Sequence, residues 1–130
     1  MKPNRRIRNG LDILAVILMF CASLAFAQEM TERYIPVGAY PSFASKYLTV
    51  GTIVDVDVDA RMLTIKVNGN ERSFRLTEST KIWLDRSQLG QTTLDGGLLD
   101  LETGLRAEVR SLGPSRSDVA YWVKVQIAPP

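Results

Sequence analysis

Three aspartates alternate along one short stretch, Asp55, Asp57 and Asp59, and they are the densest set of charged groups in this sequence. Alternate aspartates open the calcium loop of an EF-hand, so a cation site is the first chemistry to test. The match stops there, because the sixth position is Ala60 where glycine is needed and the twelfth is Lys66 where glutamate is needed. On a strand such carboxylates stand about 6.8 Å apart. In water that spacing costs only about 0.6 kcal/mol of repulsion, too little to demand a metal. A solvated strand face explains the triplet, with a weak cation site as the sharper alternative. Chemistry elsewhere is limited by what is absent: there is no histidine and the single cysteine is Cys21. The usual zinc, haem and copper ligand sets and the Ser-His-Asp and Cys-His nucleophile systems are therefore excluded. Gly96-Gly97 is not a phosphate-cradling loop. A carboxylate-only hydrolase is the remaining enzymatic option. No pair of acids is fixed across a cleft, so the reading is a non-enzyme without a cofactor.

A second set of residues stands out by parity. Side chains of a strand alternate between faces. Trp83 lies opposite in sense to Ile82 and Leu84, and Trp122 lies opposite to Tyr121 and Val123. Both tryptophans, with Ile53, are expected to point away from the interior of the sheet. Large apolar residues on an outer face imply a cover. Either the preceding arm with Tyr34, Tyr40 and Phe43 (or the helix) folds over them, or they dock a protein, peptide or glycan. Trp83, Asp85, Arg86, Trp122 and Lys124 are the candidate binding residues, with Lys81 nearby.

The elements that position these residues follow from periodicity. Leu48, Val50, Val54, Val56 and Val58 share one parity in a first strand, and Gly51 marks a bulge or bend. A second strand runs Met62 to Val67, and Asn68-Gly69 signals a tight hairpin. The third runs Glu71 to Thr77, with Ile82 and Leu84 continuing it after a break at 77–80. Leu94, Leu98, Leu99 and Leu101 suit one or two helical turns closed by Gly104. A fourth strand, Leu105 to Leu112, and a last one, Val119 to Ile127, complete the order; the last places Val119, Tyr121, Val123, Val125 and Ile127 on one face. Five strands with a short helix between the third and fourth give a mainly β fold, a small OB-like barrel over 47–127. An open meander or a roll generates the same strings. Residues 128–130 form a tail.

Ahead of the barrel, 28–46 reads as an extended arm punctuated by Pro36, Gly38 and Pro41. Residues 1–27 have the layout of a secretory signal peptide: Lys2, Arg5, Arg6 and Arg8, an apolar run, then Ala25-Phe26-Ala27. Its apolar stretch of 15 residues, Ile13 to Ala27, falls short of the roughly 20 that a spanning helix needs. Cleavage after Ala27 and a periplasmic location are expected, with a retained N-terminal membrane anchor as the alternative. Four of the 16 basic residues and one of the 14 acids lie in the leader, leaving 12 and 13 in a mature chain near neutrality. That charge offers nothing to attract nucleic acid. The mature chain has no cysteine, so packing alone must hold it.

The stretches 81–87, 100–109 and 120–125 resemble a group of short exported bacterial proteins of unknown function. The Gly51 to Val54 opening is similar to that of small periplasmic β-barrel domains. The resemblance covers roughly 47–127, implies an OB-like exported domain and supplies no catalytic residues. It places Trp83, Asp85 and Arg86 first among the contacts. A periplasmic binding or accessory module, contacting a protein or an envelope component, is the function expected; a structural or stress-related envelope protein is the alternative.

Overall fold

A computed structural model of the chain describes residues 31–40 and 46–130. The chain divides into two units, Met1–Glu32 and Arg33–Pro130, and the second holds the sheet. The expected leader, 1–27, lies outside the described residues. Among those described, no helix is long and apolar enough to cross a membrane.

The second unit is a six-stranded sheet made of β1 (Leu48–Asp57), β2 (Met62–Val67), β3 (Asn70–Asp85), β4 (Leu94–Asp95), β5 (Arg106–Ser111) and β6 (Val119–Gln126). The pairings β1–β2, β2–β3, β3–β6, β6–β5 and β5–β1 return to the first strand, so five strands form a ring, and β4 hangs on β3 outside it. Only β3 and β6 run parallel. The β2–β3 hairpin turns at Asn68 and Gly69, with φ of 50° and 84°, as the Asn-Gly pair demands. Inside the ring lies an apolar cluster that includes Ile53, Leu63, Ile65, Phe74, Leu76, Val109, Val123 and Val125.

Two bulges set the facing of side chains, and they account for the departures from strict alternation. In β1 the register slips between Ile53 and Asp55. Thr49 and Gly51 pair with the core positions Val109 and Ala107, so Leu48 and Val50 take the other face. Ile53, expected to point outward, is fully buried in the apolar cluster, and Val56 packs against it after the slip. The bulge therefore falls at Val54, three residues beyond Gly51. In β6 the partner step from Arg110↔Trp122 to Ser111↔Ala120 leaves Tyr121 out of register. Ala120, not Tyr121, consequently enters the core.

The expected helix between the third and fourth strands is absent from 94–101. Leu94 instead pairs with Leu84 in β4. Gly96 donates its backbone N–H to Ile82 O at 2.9 Å, and only a single 3-10 turn, Leu98–Asp100, follows. Two adjacent glycines carry a high helical cost, so edge pairing prevails. Leu101 alone of the four leucines is buried, and Leu99 is 84% exposed. The α-helical residues described are 31–34. The arm is thus not extended throughout: beyond that helical turn, Ala39 N–H reaches Pro36 O at 3.0 Å and closes a β-turn.

Candidate functional site

The outer face of β3, β6 and β5 carries a row of unlike residues in register. Trp83 pairs with Lys124, and Lys124 with Glu108; one row away, Trp122 lies between Lys81 and Arg110. Each alternates with inward neighbours: Ile82 and Leu84 pack on the apolar cluster, and Ala107, Val109, Val123 and Val125 belong to it. The parity reading of both tryptophans therefore stands. Their rings lie 5.4 Å apart, tilted by 36°. Neither is exposed: Trp83 keeps 3% of its surface and Trp122 none, while Asp85, Glu108 and Lys124 keep 2%, 1% and 0%.

The chain's own segment 35–38 is bonded to this face through its main chain. Val37 is itself buried, and its backbone N–H donates to Asp85 Oδ2 at 2.9 Å. The next N–H, that of Gly38, donates to Glu108 Oε2 at 3.0 Å. Lys124 Nζ donates to the carbonyl oxygen of Ile35 at 2.5 Å. The chain can turn here because Gly38, second of the two central turn residues, has φ of +79°, a conformation costly for any other residue. A Cβ at that position would also fall 2.6 Å from Arg106 Nη2. Further back, Arg33 Nη1 bonds Asp95 Oδ1 at 2.5 Å, tying the arm to β4.

The charges beneath the arm oppose each other at short range. Lys124 Nζ is 3.7 Å from Glu108 Oε1, an ion pair too long to be a hydrogen bond, and 4.7 Å from the centroid of the Trp122 ring. Glu108 Oε1 has no hydrogen-bond donor among the described residues. Burial raises the Glu108 carboxyl above its ordinary value, against the lowering effects of the Gly38 N–H and the Lys124 charge. Burial likewise lowers the Lys124 ammonium, opposed by the charges of Glu108 and Asp85. Asp85 is held at both oxygens, since its Oδ1 accepts from Ser87 N–H at 2.9 Å. Together two carboxylates accept main-chain N–H groups and one ammonium donates to a main-chain carbonyl. All three of these main-chain groups belong to the chain's own residues 35–38.

Four of the five expected contacts, Trp83, Asp85, Trp122 and Lys124, are brought together. Arg86 is not: its guanidinium bonds Thr92 O at 2.8 Å and Gln91 Oε1 at 3.0 Å, bracing the following loop. Glu108 and the arm residues Ile35, Val37 and Gly38 were not among the candidates. Parity reveals Glu108, which sits between the inward Ala107 and Val109 just as Lys124 sits between Val123 and Val125. No signal in the arm reveals Val37. The Asp55, Asp57 and Asp59 triplet is spread over a strand end and its turn: β1 stops at Asp57, whose Oδ1 caps Ala60 N–H at 2.9 Å. Among the described residues no three His, Cys, Asp or Glu side chains are grouped to hold a metal ion. No protein family, curated protein or solved structure matches this chain.

Proposed function

We propose that this chain is an exported, non-enzymatic binding or accessory module built on an OB-like barrel, which contacts a protein or cell-envelope component through the face of Trp83 and Trp122. The ring order β1–β2–β3–β6–β5, with β3 parallel to β6, supports the barrel reading. It is the closure expected of a five-stranded Greek-key barrel, whose strand faces commonly carry ligands. The layout of 1–27 supports export to the periplasm, and 103 residues would remain after cleavage at Ala27. One observation carries the binding reading: a buried Trp pair and three buried charges on the side of the sheet away from its core, engaged with peptide backbone. Core stability does not require charges there, because a buried ion pair is rarely better than apolar residues of the same size.

Photo-crosslinking in intact cells tests this reading. A photoreactive residue in place of Ala39, exposed on the arm, should give one discrete adduct in the periplasmic fraction, and the same residue at Leu99 should give none. The second reading, an envelope protein whose barrel is only a scaffold, is favoured by the near-complete coverage of both tryptophans. It predicts no discrete adduct at either position. An N-terminus upstream of Gln28 in the native protein, or its recovery from cytosol, would contradict export.

A further inference from the structure

We propose that the face of β3, β5 and β6 is a peptide-binding cradle, occupied in cis by residues 35–38, whose ligand in trans is a flexible segment of another protein with the pattern aliphatic–Pro–Val–Gly. This deepens the reading of that face as the contact surface and rests on it. The chemistry is set by the occupant already seated there. Three polar contacts between the described residues join this face to main-chain atoms: Lys124 to Ile35 O, Val37 N–H to Asp85 and Gly38 N–H to Glu108. They reach a carbonyl and two amides within four consecutive residues, which fixes both direction and register of a bound chain.

Side-chain selectivity enters at two places. Val37 is buried to 4% exposure, so its position accepts a compact apolar side chain. Gly38 has φ of +79°, so its position favours glycine; the Arg106 guanidinium near a Cβ there is the movable end of a flexible side chain. Proline at 36 begins the turn and restricts Ile35 to an extended form, which lowers the ordering cost of a free peptide. Glu108 Oε1 adds a buried acceptor that has no donor among the described residues. The tethered arm competes at an effective concentration in the millimolar range, typical of a short linker. A partner in trans therefore binds the wild-type chain with an apparent affinity reduced by the fraction of molecules whose cradle is open.

The two tryptophans of the chain both lie on this face, so their fluorescence responds to its occupancy. The probe is an acetylated, amidated peptide of sequence 33–40, which contains no tryptophan. Titrated into the full chain carrying Val37→Asp, it should give a saturable change in Trp emission. Its affinity should exceed that for the wild-type chain by about tenfold or more. Alanine at the glycine position of the peptide, or Glu108→Gln in the chain, should weaken it about tenfold. Excess peptide should also accelerate hydrogen exchange at the wild-type chain's own Val37 and Gly38 amides, a readout that holds should Val37→Asp not fold. Absence of both the emission change and the accelerated exchange would overturn the proposal, making the arm a fixed part of the fold. A wild-type dimer with arms exchanged between copies would also overturn it, since the occupant would be a second copy. A discrete envelope adduct without peptide binding would overturn this inference and leave the broader contact reading standing.

Discussion

Around Trp83, Glu108 and Lys124, strands β3, β5 and β6 are buried on both sides, and the two sides are built from different materials. Toward the ring, Phe74, Leu76, Val109, Val123 and Val125 meet an apolar cluster drawn from five strands. On the other side Trp83, Trp122, Lys124, Glu108 and Asp85 are also buried, and the last three bond the main chain of 35–38. The inner side is a non-directional, area-driven interior whose strands are mutually paired around the ring. On the outer side the contacts to 35–38 are directional hydrogen bonds. A segment held by few contacts opens at a lower free energy than the strands beneath it. The contrast separates an apolar interior from a charged layer bonded to main-chain groups.

Substitutions sharpen that contrast, beginning with the largest effect. Phe74→Ala should cost about 3–5 kcal/mol in denaturant unfolding, because it empties the centre of the ring. On the outer side Lys124→Met should cost about 3 kcal/mol, since Glu108 and the Ile35 carbonyl lose their buried partner. Replacing both ions, as Glu108→Gln with Lys124→Met, should recover about half of that loss, because no buried charge is left unpaired while the Ile35 carbonyl still lacks its donor. Equal losses in the single and double variants would mean that the pair itself is not what the charges balance.

Smaller changes act on the arm. Val37→Ala removes two buried carbons and should cost about 1.5 kcal/mol, with Trp emission moving to the red. Gly38→Ala should cost about 1 kcal/mol through its positive φ, read as a lower unfolding midpoint with unchanged m-value. The smallest signal is in pH. Folding raises the Glu108 carboxyl, so the folded chain keeps a proton that the unfolded chain releases. Stability then falls as pH climbs from the ordinary carboxylate value through the raised one. Lys124 is lowered, so stability rises from its lowered value up to the ordinary lysine range. Glu108→Gln should remove the falling limb, as seen in unfolding free energies measured across pH.

The strands were legible because alternation and the Asn68-Gly69 turn are local signals. Met62–Val67 matches its expected bounds, and β3, β5 and β6 differ from expectation mainly at their ends or across the 77–80 break. Both tryptophans took the face that parity assigned. What alternation cannot see is a register slip, since one extra residue reverses every side chain beyond it. Ile53 and Tyr121 were misjudged for that reason. The leucines at 94–101 share spacing with a helix, but pairing of Leu94 with Leu84 is a long-range choice. The cradle itself joins residues 35–38 to 85, 108 and 124, and no local pattern reports such distant pairings.

Amide hydrogen exchange on the full-length wild-type chain tests the separation of the two sides most directly. The amides of Val37 and Gly38 should exchange through a local opening, several times more often than those of Ile53 and Val123 in the ring. The same protection at all four positions, lost together as denaturant is added, would show one indivisible interior and contradict the account.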